Sequence, residues 1–169
     1  MNPNEIQAII QKLRGQQHRL ALAESCTGGL VSARLTSIAG ASEVVCGSMV
    51  TYREATKGEW LAISAAALEK FTAVSQEVTQ QMSRAVLAAT PEASLAAAVT
   101  GHLGPDAPEA LDGIVFVSII CRDRSSKGDP HLLEQECHLA ASDREGRQAE
   151  AANVVLRLID KVLDDTKSN

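Results

Sequence analysis

Ser25 and Cys26 stand side by side in the stretch Ala23-Glu24-Ser25-Cys26-Thr27-Gly28-Gly29, which offers a hydroxyl and a thiol at one point of the chain. Each needs help to attack a carbonyl. A serine hydroxyl is a poor nucleophile at neutral pH without a base, and a thiol must first lose its proton. Neighbours in a tight turn cannot both point into one pocket, so the two compete. Lys57 is a candidate base, provided burial or a nearby positive field leaves its amine neutral. Tyr52, five residues earlier, is placed to relay a proton or orient a substrate. Among His18, His102, His131 and His138, only His102 falls on a loop at the expected site edge, which makes it the other candidate base. Plainer roles exist for all of them. Ser25 or Thr27 suits a helix cap, and Lys57 and His102 suit a solvated surface.

The segment around Ser25 reads as a strand-to-helix turn. Residues 19–23 form a short apolar strand, and Leu30, Val31, Ala33, Leu35 and Ile38 recur at helical spacing. Gly28 and Gly29 let the backbone turn sharply and approach a ligand. The helix that follows is expected to aim its free N–H groups and the positive end of its dipole at an anion in the turn. Glu24 and Asp106 do not declare a carboxylate pair, and Gly28-Gly29 is too short for a dinucleotide fingerprint. No cluster has metal-ligand spacing, so neither metal nor cofactor is expected.

Composition narrows the partners. The net charge of −5 argues against a broad nucleic-acid footprint, and only Tyr52, Trp60, Phe71 and Phe116 are available as stacking platforms. No apolar run approaches a membrane span and no segment resembles a signal peptide. Cys26, Cys46, Cys121 and Cys137 form no CxxC pair. They read as reduced thiols of a cytoplasmic protein, with buried small hydrophobe the default for the last three.

The remaining elements must position these groups. Asn2-Pro3-Asn4-Glu5 starts a helix whose apolar stripe, Ile6, Ile9, Ile10 and Leu13, ends near Gly15. Residues 44–52 read as a buried strand, residues 53–62 as one or two helical turns carrying Lys57 and Trp60, and residues 64–70 as a helix capped by Ser64. Ser75 starts a longer helix that stops before Pro91. Residues 95–100 form a third strand, and residues 101–112 a loop with two prolines and two glycines. Residues 114–120 and 131–139 form two more strands joined by a polar hairpin connector at 122–130. A last amphipathic helix covers residues 143–165, and the tail from 166 should fray.

This order predicts a single three-layer α/β/α domain over residues 1–169 with a mixed, mostly parallel sheet. Ligands of such sheets bind beyond the carboxyl ends of the parallel strands. The Ser25 turn, residues 52–57 and residues 100–105 all leave at that edge, so their polar side chains are expected in one pocket.

The ordered set of motifs also resembles a known family. Glu24-Ser25-Cys26-Thr27-Gly28-Gly29, Tyr52 followed by Lys57, Ala73-Val74-Ser75 opening a helix, Val99-Thr100-Gly101 with Gly104-Pro105, and Asp143-Arg144-Glu145 are together similar to the CinA C-terminal-domain family. The resemblance implies a nicotinamide-nucleotide amidohydrolase that converts nicotinamide mononucleotide to nicotinate mononucleotide and ammonia without a metal, in a soluble bacterial protein that is often a homodimer. It implies Ser25 as nucleophile with Lys57 and Tyr52 as activating partners. On this reading Thr27, Gly28 and Gly29 contact the substrate, with the N–H groups around Thr27 and Gly28 receiving the oxyanion, Thr100, Gly101 and His102 line the substrate, and Arg144 meets the phosphate. Two features depart from the family pattern. The loop after Thr100-Gly101 is usually glycine-rich but here reads His102-Leu103-Gly104-Pro105-Asp106-Ala107-Pro108, and Arg147 follows Arg144 by one residue less than the usual second arginine. The altered loop keeps two other readings open: a non-catalytic nucleotide- or phosphate-binding module, and a hydrolase of another small amide.

Overall fold

The alternation of side chains along two central strands divides the molecule into its layers. In β1 (Leu20–Glu24) and β3 (Leu95–Gly101), Leu20, Leu22, Leu95, Ala97 and Val99 join one apolar cluster, whereas Ala21, Ala23, Ala96 and Ala98 join a second. Successive strand residues point to opposite faces, so each cluster belongs to one side of the sheet. The computed structural model describes residues 1–122 and 131–167. Most of the polar connector expected at 122–130, and the last residues of the tail, lie outside that range.

On the first face pack α1 (Pro3–Gly15), α2 (Leu30–Thr36) and α6 (Arg144–Lys167), through Ile9, Leu13, Leu35, Leu156 and Ile159 among others. The second face takes α3 (Glu54–Leu61), α4 (Ala65–Phe71) and α5 (Gln76–Ala89), with Val78, Met82 and Val86 of α5 set against the small alanines of β1 and β3. Their lack of bulk lets α5 lie close to the sheet. The helix starts follow the sequence signals. Asn2 and Glu5 form a capping box on α1, and the Ser64 and Ser75 hydroxyls accept from Ala67 N and Val78 N to open α4 and α5.

With β2 (Val45–Val50), β4 (Ile114–Cys121) and β5 (His131–His138), the sheet runs in the order β2-β1-β3-β4-β5. β1 is parallel to β2 and β3, while β4 is antiparallel to both β3 and β5. The expected α/β/α domain with a mixed sheet is therefore what forms. One expectation fails: β2 is not a buried central strand but a half-buried edge, because it pairs with β1 alone. Its side chains still reach both faces, Val45 packing on the first cluster and Cys46 and Met49 on the second.

The alanine face sets a packing prediction. Ala98→Leu inserts bulk between β3 and α5, and should destabilise the protein by about 1–3 kcal/mol in denaturant unfolding.

Candidate active site

The pleat that separates the two cores also separates the two chemical groups at the end of β1. Glu24 follows Leu22 toward α2, and Ser25 follows Ala23 toward α3. Glu24 is 1% exposed, yet its carboxylate accepts four hydrogen bonds. The donors are Thr27 Oγ1 at 2.8 Å, and Val31 N, Ser32 N and Ser48 Oγ at 3.0 Å each. Four donors on one carboxylate are what a buried negative charge requires. The first-turn N–H groups of α2 are thereby taken by the chain itself. The anion site expected at this helix start is filled by Glu24, and no ligand is needed to complete it.

On the other face, Lys57 Nζ lies 2.8 Å from Ser25 Oγ and donates to the Thr51 carbonyl at 2.9 Å. The lysine is 2% exposed and forms no ion pair among the described residues. Burial without a counter-ion pushes its pKa below the ordinary 10.5, which favours the neutral amine. A neutral amine has a lone pair for the serine proton while an N–H remains on Thr51. Thr51 is itself anchored, since its N–H donates to the Glu24 carbonyl at 2.8 Å. Ser25, Glu24, Thr51 and Lys57 thus close a ring in which each contact fixes the next.

The ring opens into a cleft of about 440 Å³ beyond the carboxyl ends of the parallel strands. Ser25, Cys26, Tyr52, Lys57, Gly101, His102 and Arg144 line it, with Ala73, Val74, Glu54 and Asp106 along the walls. The segments expected to meet at this edge do meet, joined by the start of α6 and by residues 73–74. Tyr52 stands at the mouth, 57% exposed, and its hydroxyl accepts from Arg144 Nη2 at 2.6 Å. The same guanidinium donates to the Gly104 carbonyl. Among the described residues, Ser25 Oγ has Lys57 as its side-chain partner and no bond to the His102 ring. His102 is a wall residue whose main chain pairs with Ile114 and Gly113. His18 lies at the far end of the sheet, bonded to Ser94.

Cys26 reaches the cleft but is only 5% exposed, and burial pushes its thiol up to about 12. It is a protonated thiol at neutral pH, so the competition at the turn favours Ser25. Four residues expected to contact substrate do not line the cleft. Thr27 is buried on Glu24, and Gly28 N donates to the Ser25 carbonyl at 3.0 Å, which removes it as an oxyanion donor. Gly28 and Gly29 adopt φ of 62° and 97°, a shape that favours glycine, so their part is to bend the turn. Thr100 is fully buried and donates to the Ala73 carbonyl at 3.2 Å, tying one wall of the cleft to β3. Gly101 does line the cleft, and a Cβ there would lie 2.5 Å from Val115 Cγ1.

Sequence reasoning passed over Glu24 as a cap, because it stands at the end of β1, five residues before the α2 N-cap Gly29, where no local capping signal would place it. It also passed over Asp112, which binds Arg147 in two contacts of 2.6 and 2.9 Å and holds that arginine outside the cleft.

Comparison with known proteins fits this geometry. The CinA C-terminal domain family matches residues 4–163. A CinA-like protein from Chlorobium phaeovibrioides is 37% identical over 155 residues, which cover 90% of this chain and 36% of that protein. The chain therefore spans about a third of the length of this curated relative. The crystal structure of the competence/damage inducible protein CihA from Agrobacterium tumefaciens superposes with a TM-score of 0.84 at 31% identity, covering 96% of this chain and 94% of that one. A CinA superfamily protein from Klebsiella pneumoniae gives a TM-score of 0.86 at 26% identity, with 98% and 99% coverage.

The buried amine makes a pH prediction. Below the folded-state pKa of Lys57 both folded and unfolded chains hold its proton, and the burial penalty is full. Between that pKa and 10.5 the unfolded chain binds more protons, so stability should rise with pH, and above 10.5 the penalty is gone. The raised Cys26 thiol works in the opposite sense above its ordinary 9.0, so the difference between wild type and Lys57→Met isolates the lysine. In urea unfolding the stability of the wild type relative to Lys57→Met should rise across this window, and a difference that stays flat with pH removes the buried-amine effect.

Proposed function

This chain belongs to the CinA C-terminal domain family, and from that premise we propose that the cleft is the active site of a serine amidohydrolase that converts nicotinamide mononucleotide to nicotinate mononucleotide and ammonia. The observation that carries the reading is the 2.8 Å contact between a buried, uncompensated lysine and a serine at the base of an open cleft. Such a pair has no evident structural use, because a buried amine costs stability unless its lone pair or its charge is employed.

In the proposed reaction, Lys57 takes the Ser25 proton as the oxygen attacks the carboxamide carbon. Cys26 lines the cleft and Gly28 N is taken by the Ser25 carbonyl, which leaves the Cys26 N–H as the main-chain oxyanion donor of the turn. Each such donor is worth about 3–4 kcal/mol of transition-state stabilisation. The Lys57 ammonium returns its proton to the leaving nitrogen, the C–N bond breaks, and ammonia departs from an acyl-Ser25 ester. Water then attacks the ester, gives a proton to Lys57 and releases the carboxylate product and the serine. Tyr52 at the mouth orients the substrate, and Arg144 is the cation available for its phosphate. The domain works without a metal or cofactor, as a cytoplasmic homodimer.

Ser25→Ala should abolish ammonia release from nicotinamide mononucleotide while leaving the circular dichroism spectrum unchanged. Turnover that survives in this variant removes Ser25 from the mechanism. Saturable binding of the nucleotide by the wild type without product would instead identify a binding module, and ammonia released only from other members of an amide panel would reassign the substrate.

A further inference from the structure

Arg144 is where two walls of the cleft are joined. One nitrogen of its guanidinium donates to the Tyr52 hydroxyl at 2.6 Å, and another donates to the Gly104 carbonyl. The first partner lies just after β2 and the second lies in the loop after β3, so the side chain spans the mouth from wall to wall. Neither partner carries a charge, and Arg144 forms no ion pair among the described residues. Of the lysine and arginine side chains that line the cleft, Lys57 is buried and Arg144 is exposed, and several other cationic or N–H-rich features nearby are already engaged. The α2 start is filled by Glu24, Asp143 caps α6 by accepting from Gly146 N at 2.8 Å, and Arg147 is held by Asp112. A phosphate entering the cleft therefore meets Arg144, and the contact it competes with is the one to Tyr52.

Resting on the proposed amidohydrolase reading, we propose that Arg144 couples recognition of the substrate's phosphate to Tyr52. Without an anion the guanidinium holds the phenol at the mouth. With a phosphate on the guanidinium, a charged oxygen displaces the neutral hydroxyl, because charge-assisted bonds are the stronger ones. Tyr52 then turns to the reacting amide. The phosphate thus acts at a distance from the bond being broken, and the preference for a nucleotide over its phosphate-free nucleoside resides in turnover as well as in binding. Linkage requires the converse: freeing Tyr52 by mutation must tighten phosphate binding.

The chain offers an unusually clean probe, since Tyr52 is its one tyrosine. Added inorganic phosphate should shift the Tyr52 ring signals in the NMR spectrum of the wild type and leave them in place in Arg144→Gln. No shift in the wild type, or an equal shift in both proteins, overturns the proposal. In the ammonia assay, inorganic phosphate should speed turnover of nicotinamide riboside by about tenfold in the wild type, within the usual range of coupling between sites. Arg144→Gln should turn over the riboside at the stimulated rate without phosphate, and Tyr52→Phe should show no stimulation. A wild-type riboside rate indifferent to phosphate also overturns it. If the wild type releases ammonia from neither compound, the amidohydrolase reading fails, and the ring measurement still decides the coupling.

Discussion

An amine buried without a carboxylate beside it is the constraint around which this domain is built. A charged lysine in such surroundings is strongly disfavoured, and its desolvation is relieved by releasing the proton. In its neutral form the amine needs one acceptor and one donor, and the fold sets a carbonyl and a hydroxyl against it. Lys57 Nζ donates to the Thr51 carbonyl at 2.9 Å and to the Ser25 hydroxyl at 2.8 Å, the contact along which a neutral amine would take the serine proton. The Thr51 hydroxyl, by contrast, is buried without a partner among the described residues, a cost of about 1–3 kcal/mol accepted close to the lysine. This unmet hydroxyl lies beside the pair where the chemistry is proposed, as stability concedes to function at such sites.

Glu24 stands on the opposite face of the same strand end and shows how economically one pleat can be used. Its carboxylate closes the start of α2 and fastens the turn to β2 through Ser48. Its carbonyl holds Thr51, and through Thr51 it holds the lysine. The positive end of α2 is neutralised inside the protein. This leaves the Cys26 thiol without the helix-start activation that a nucleophilic cysteine uses, and burial keeps it protonated. The choice of oxygen over sulfur at the turn follows from where one carboxylate is placed.

The cleft walls are assembled on a different principle. Their residues come from loops after β2 and β3, from the segment before α5 and from the first residue of α6. The scaffold beneath is rigid: buried strands, alanines packed on α5, and a glycine at 101 that a larger residue cannot replace. The walls themselves are bridged by Arg144, Tyr52 and the Gly104 carbonyl at the exposed mouth. A rigid floor under adjustable walls suits a site that must hold its reacting pair still while admitting a substrate.

Much of this was legible in the order of residues alone. Among the described residues, periodicity and caps located the α-helices and strands to within a few residues, though not the short 3₁₀ turns at Ala41–Glu43 and Glu109–Leu111, because amphipathic stripes and Asn, Ser and Pro punctuation are local properties. The convergence of the Ser25 turn, Tyr52, Lys57 and the loop after β3 followed from the rule that parallel strands deliver their loops to one edge. What local pattern does not carry is the account of backbone donors. Whether α2 offers its first N–H groups to a ligand depends on which way Glu24 points, and that is decided by strand parity and by Ser48 arriving from β2. The edge position of β2 was equally hidden, since an apolar run reads alike whether one neighbouring strand or two pair with it. So the elements, their order and the candidate chemistry were set by sequence, through short-range physics. Burial of Lys57, the quenched helix start and the Arg144 bridge were decided only when distant segments packed, because desolvation and hydrogen-bond competition belong to the assembled surroundings and not to any residue by itself.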